Sequence, residues 1–156
     1  MPDTSFSWIG KVGLRRIRGL NRLGYHDFSS AEGKRVIGSH DFMITVGRAD
    51  ANPTTVLEAM AWGFVPVCTK QSGYSGYPGI VNIPLDDVPS AVRVLSELQE
   101  LPAAKLREMQ KQNWLALDKH FNWERFADQV IGAIESDASP SLKPASPFHR
   151  LRIRLA

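Results

Sequence analysis

Two carboxylates eight positions apart, Asp50 and Glu58, frame the part of this sequence best suited to chemistry, residues 46–63, VGRADANPTTVLEAMAWG. Between them runs Asn52-Pro53-Thr54-Thr55. Asparagine is a strong helix N-cap, and proline fits the first helical position because its missing N–H would be unpaired there anyway. A helix start exposes free N–H groups and the positive end of the helix dipole, a setting that suits phosphate. Thr54 and Thr55 add hydroxyl donors. Glu58 falls in the second helical turn among Leu57, Ala59, Met60 and Ala61, where a charge needs a partner. A ribose diol donating two hydroxyls to one carboxylate is such a partner; a nearby arginine or plain solvent serves equally. A second stretch, Gln71-Ser72-Gly73-Tyr74-Ser75-Gly76, carries glycines at 73, 76 and again at 79. These either let backbone approach a ligand closely or make an ordinary surface turn. Neither G-x-G-x-x-G nor G-x-x-x-x-G-K-[ST] occurs, so the usual dinucleotide and P-loop signatures are missing.

The elements that must hold these residues follow from local pattern. Residues 41–47 form a short apolar, β-rich run, the signature of a buried parallel strand. The helix opened at Asn52 runs to Trp62 and stops at Gly63. Residues 64–69 and 80–85 read as two further strands, with Pro66 expected near a strand start or at an unpaired position. Upstream, residues 5–12 read as a strand, and Ser29-Ser30-Ala31-Glu32 as a capping box opening a helix to about residue 39. Downstream, three amphipathic stripes predict three helices: Val88, Val92, Leu95, Leu98; then Leu106, Met109, Asn113, Leu117; then Trp123, Phe126, Val130, Ile134, capped by Asn122. Strand and helix alternate with short connections, which argues an α/β fold with a parallel sheet flanked by helices. In open sheets of that kind, ligands bind at the carboxyl ends of the strands, where 46–53 lies.

Composition bounds the rest. The 156 residues suit one domain, and 43% apolar content allows a real core. Residues 1–137 carry 15 Lys and Arg against 16 Asp and Glu, whereas Lys143, Arg150, Arg152 and Arg154 face no acid in the last nineteen. A near-neutral body gives no nucleic-acid footprint. Lys11, Arg15, Arg16, Arg18 and Arg22 form a local basic cluster, read as a solvated face. Residues 137–147 are rich in Ser, Pro and Ala, so 1–136 is taken as the domain and 137–156 as a flexible basic tail. Its end, FHRLRIRLA, reads as a frayed terminus or as a peripheral contact with anionic lipid or a partner. Cys68 stands alone in an apolar run, which predicts a buried reduced thiol and no disulfide framework. No apolar run reaches membrane-spanning length and the N-terminus lacks a signal pattern, so a cytoplasmic setting is expected. The four histidines are scattered without paired ligand spacing, and no metal is expected.

The stretch from Asp50 through Ala59-Met60-Ala61-Trp62-Gly63-Phe64-Val65-Pro66-Val67-Cys68 resembles the active-site motif of retaining GT-B glycosyltransferases of family 4. Those enzymes carry an acid, seven residues, a second acid, Ala-Met-Ala, a glycine, then a Pro-Val strand. Leu23-Gly24-Tyr25-His26-Asp27-Phe28-Ser29 and Ser39-His40-Asp41-Phe42-Met43-Ile44 are similar to the preceding elements, so the likeness covers roughly residues 20–135. It implies a Rossmann-like domain, one half of a GT-B fold, that binds a nucleoside diphosphate sugar. It further implies transfer of the sugar with retention to an acceptor that is a sugar, a lipid or a protein. Glu58 would take the ribose hydroxyls and Asp50 the donor sugar. The start of the helix at Asn52, Pro53, Thr54 and Thr55 would face the diphosphate, and Ser72, Gly73 and Tyr74 the place of the family's glycine-rich loop. Asp50 is one methylene shorter than the family's usual Glu. The family's earlier glycine loop and basic pair have no clear counterpart before residue 20. The resemblance therefore implies a donor-binding half, completed by a missing N-terminal domain or a second copy and inactive alone. The competing expectation is a non-catalytic interaction module of the same fold, suggested by four tryptophans, Trp8, Trp62, Trp114 and Trp123. An unrelated flavodoxin-like domain explains neither the acid spacing nor the Ala-Met-Ala run.

Overall fold

The computed structural model of this chain describes residues 5–10, 16–50 and 52–136. Lys11, Val12, Arg15 and the whole basic tail lie outside the described residues. The chain divides into two compact units, Met1–Lys119 and His120–Ala156.

The first unit carries strands β1 (Phe6–Ile9), β2 (Leu20–Gly24), β3 (Phe42–Thr45), β4 (Val65–Cys68) and β5 (Val81–Asn82). Its helices are α1 (Ala31–Ile37), α2 (Thr54–Ala61), α3 (Val88–Gln99) and α4 (Ala103–His120), the last ending at the boundary. Every strand pair is parallel, as the alternation of strand and helix predicts. The pairing forms two small sheets, β1-β2 and β3-β4-β5, with no ladder between β1 and β3. The fold is α/β with helices flanking parallel strands, consistent with a Rossmann-like half-domain.

β4 is the centre of the core. Its four residues are all buried, as a continuous apolar run without alternation requires. α2 lays Val56, Ala59 and Met60 against this region, and all three are buried. Pro66 is tolerated because β5 pairs β4 only from Val67 onward, so no N–H is needed from position 66 on that side. α4 contributes Met109, Asn113 and Ala116 to the interior. Asn113 Nδ2 donates to the Phe64 carbonyl at 3.2 Å, and Gln110 Nε2 donates to the Gly63 carbonyl at 2.7 Å. These bonds tie α4 to the turn between α2 and β4.

Several boundaries differ from the sequence expectation. The strand expected over 5–12 ends at Ile9, where the register with β2 shifts. The strand expected over 80–85 shrinks to Val81–Asn82. The N-cap sits one residue later than expected, and with Gly33 at its third helical position the expected Ser29–Glu32 capping box does not form. Ser30 caps α1 by accepting from the Gly33 N–H at 3.0 Å. Ser29 is instead held by Asp27, whose Oδ1 accepts from both its N–H (2.9 Å) and its hydroxyl (2.7 Å). Likewise Pro53, not Asn52, precedes the first helical residue of α2. The stripe of α3 is half-used: Leu95 and Leu98 are half-buried, while Val88 and Val92 are exposed. Its N-cap is Asp87, which accepts from the Ser90 N–H at 3.1 Å.

The second unit contains α5 (Trp123–Glu135), capped by Asn122 accepting from the Arg125 N–H at 2.8 Å. Trp123, Phe126, Val130 and Ile134 are exposed along it.

Candidate functional site

The carboxyl ends of β3 and β4 open into residues 46–53 and 69–80, and three hydrogen bonds staple these loops into one rim. Thr69, fully buried, donates its hydroxyl to the Gly47 carbonyl at 2.7 Å. The Asn52 N–H donates to the Ser72 carbonyl at 3.0 Å. The buried Tyr74 hydroxyl donates to the Pro53 carbonyl at 3.2 Å.

Backbone conformation explains why these residue types stand here. Asn52 adopts φ 57°, a left-handed value that asparagine tolerates better than most residues. That turn aims its N–H at Ser72 and leaves its side chain against Gly73 rather than over the start of α2. Lys70–Ser72 form one 3₁₀ turn, closed by Gly73 at φ 79°. A Cβ at position 73 would run into Asn52 Oδ1, so both φ and space require glycine there. Asn52, Pro53, Ser72, Gly73 and Tyr74, drawn from two stretches of sequence, are thereby brought into one network.

Asp50 lies exposed on the same rim, with Gly47 facing its Cβ. Burial raises the pKa of the Tyr74 hydroxyl, and the nearby Cys68 and Asp50 raise it further.

Among the described residues no side chain caps the start of α2. Thr54 and Thr55 are exposed in its first turn. Glu58 is also exposed and stands one helical turn further on, on the same face. Among the described residues it makes no ion pair, so the arginine partner allowed by the sequence is not seen.

Sequence reasoning missed three residues of this rim. Thr69 follows directly on the apolar run of β4, and a hydroxyl at that strand end is its one signal. Arg48 and Asp86 pair through two contacts, Nη1 to Oδ2 at 2.6 Å and Nη2 to Oδ1, tying the loop after β3 to the segment before α3. Nothing in their spacing announces the pair. Asp86 holds φ 63°, and both side chains are well exposed, so the pair contributes no more than about 1 kcal/mol.

Other candidates resolve simply. Cys68 is buried and burial raises its pKa, partly offset by a hydrogen bond with the Ser72 side chain. It is a packed thiol rather than a nucleophile. Arg16, Arg18 and Arg22 are exposed. No group of three His, Cys, Asp or Glu side chains among the described residues is placed to hold a metal. No described helix is long and apolar enough to cross a membrane. A cavity of about 350 Å³ lies between β1 and β3, and none of the candidate residues lines it. Asp50, Asn52, Thr54, Thr55 and Glu58 thus stand on an exposed rim.

No family model matches this chain, and no curated protein is detectably similar to it.

Proposed function

We propose that the chain is a donor-binding glycosyltransferase domain, similar to the C-terminal half of retaining GT-B enzymes of family 4. One observation carries this reading. The stapled rim joins the Asp50 loop and the Ser72–Tyr74 loop beside a helix start that no described side chain caps, while Glu58 stands exposed one turn along with no ion pair among the described residues. In this reading the first-turn amides of α2 with Thr54 and Thr55 hold the diphosphate. Glu58 accepts from the two ribose hydroxyls, and Asp50 faces the donor sugar. The sugar passes with retention to an acceptor hydroxyl and the nucleoside diphosphate departs. Fixed dipoles stabilise its developing charge, so the step needs no metal. The exposed rim supports a requirement for a second domain, absent from these residues, to close over the donor and bring the sugar, lipid or protein acceptor. The setting is cytoplasmic, with the basic tail available to a membrane surface.

Calorimetric titration with UDP- and GDP-sugars tests the reading, with Glu58→Ala as the comparison. Saturable binding that drops at least about ten-fold in Glu58→Ala is expected, the loss of charge-assisted hydrogen bonds being worth 1.4 kcal/mol or more. Equal binding by both proteins, or by neither, overturns it.

A second reading, a non-catalytic interaction module, is favoured by the tryptophans: all four are between 43% and 80% exposed. A tight dimer in sedimentation, with melting indifferent to nucleotide sugars, would establish it over the first.

A further inference from the structure

We infer that Tyr74 is a positioning residue: through a single peptide unit, its buried hydroxyl sets the direction of the Thr54 N–H at the start of α2. The inference rests on the donor-binding reading, in which that N–H meets the diphosphate.

The Pro53–Thr54 peptide spans the boundary between core and rim, since Pro53 is buried and Thr54 is exposed. A trans peptide is planar, with its C=O and N–H pointing in opposite directions, so a group that fixes one fixes the other. The Pro53 carbonyl accepts from the Val56 N–H at 3.1 Å, which closes the first turn of α2, and from the Tyr74 hydroxyl at 3.2 Å. The Thr54 N–H lies on the far side of the same plane and meets no acceptor among the described residues. An unmet donor at a helix start is what an oxyanion takes up.

The preceding peptide is held as well. The Asn52 N–H donates to the Ser72 carbonyl at 3.0 Å, so residues 52 and 53 are gripped by residues 72 and 74 of the other loop. Gly73, between the two grips, is pressed against the Asn52 side chain. Without the Tyr74 hydroxyl, the Val56 N–H alone would restrain the Pro53 carbonyl. Rotation about Pro53 ψ and Thr54 φ would then swing the Thr54 N–H out of its direction.

Tyr74 is only 2% exposed and directs its hydroxyl proton to Pro53, so its part in the site lies behind the backbone rather than against the ligand. Donors fixed before the ligand arrives bind it at a lower ordering cost. Phenylalanine would fill the same space without that hydrogen bond, which separates positioning from packing.

The test compares the wild-type chain with Tyr74→Phe. The variant keeps the ring, and the Pro53 carbonyl keeps the Val56 N–H, so no buried acceptor is orphaned. Binding of UDP and GDP, and of uridine and guanosine, is followed by NMR titration of the amide resonances. In the wild type the tighter diphosphate should shift the Thr54 amide, and its nucleoside should not. Tyr74→Phe should weaken the diphosphate about three- to ten-fold, the worth of one neutral hydrogen bond, while the nucleoside's affinity stays within about two-fold. Equal diphosphate affinity in both proteins overturns the role of Tyr74 and leaves nucleotide binding standing. So does a wild-type Thr54 amide indifferent to bound diphosphate, a measurement that needs no variant to fold. Equal loss for diphosphate and nucleoside assigns Tyr74 to packing and overturns it too. Failure of the wild type to bind either diphosphate sinks the donor reading, and the inference with it.

Discussion

Gly33 shows how a single position weighs two opposing effects. It sits within α1, where alanine is ordinarily better than glycine by about 1 kcal/mol. Yet a Cβ there would strike the backbone carbonyl of Asp27, which already accepts from the Ser30 N–H and hydroxyl. Backbone cannot step aside as a flexible side chain can. Gly33→Ala should therefore destabilise the chain by about 1–3 kcal/mol, with the clash outweighing the propensity gain. A urea midpoint equal to or above the wild-type value would refute this. Cys68 offers a second prediction at this scale. Burial and a raised pKa keep it a thiol inside β4. Ellman's reagent should leave it untouched in buffer and label one thiol per chain in denaturant. Rapid labelling of the native protein would mean that β4 opens far more readily than its burial allows.

At the scale of elements, the N-cap of α3 governs a pH dependence. The Asp87 carboxyl titrates below its ordinary 3.8, held down chiefly by its hydrogen bonds from the Ser90 hydroxyl and N–H. A carboxyl whose pKa is lower folded than unfolded stabilises the protein above the unfolded value, and that contribution disappears as pH falls through the folded one. Asp27 before α1 behaves in the same direction, through Ser29. Asp87→Asn keeps a capping oxygen but cannot titrate. Its melting temperature should fall less between pH 6 and acid pH than that of the wild type, as followed by circular dichroism; parallel declines would disprove the linkage. Elements like α2 and β4 were legible in sequence because their signals are strong: an unbroken apolar run for β4, and a Pro start with a Gly stop for α2. The caps of α1 and α2 each fell one residue away: at α1 two neighbouring hydroxyls compete for the role, and at α2 no described side chain takes it. Asp27 captured Ser29, and Asn52 was drawn toward Ser72. Of the rim, both stretches could be singled out from glycine, proline and acid spacing. Their stapling through Thr69, the Asn52 N–H and Tyr74 depends on contacts distant in sequence, which no local pattern encodes.

For the whole molecule, exposed aromatic surface is the dominant feature. Trp8, Trp62, Trp114 and Trp123 all reach solvent, although Trp62 keeps an edge-to-face contact with Phe28 at 4.8 Å between ring centres. Apolar surface of this kind promotes association. Acrylamide should quench most of the tryptophan emission of dilute protein. As concentration rises, quenching should weaken if the aromatic faces become covered. Poor quenching at the lowest concentrations would contradict the exposures.

The parallel ladders carry one consequence for the birth of this protein. Among the described residues no strand meets its neighbour across a hairpin; Phe42 pairs with Val65, and Val67 with Val81. During synthesis the greasy backbone of β3 must wait outside the ribosome for β4, and β4 in turn for β5, each delay leaving hydrogen-bonding groups bare. Nascent chains stalled before residue 65 has emerged should consequently be the ones that molecular chaperones hold most strongly.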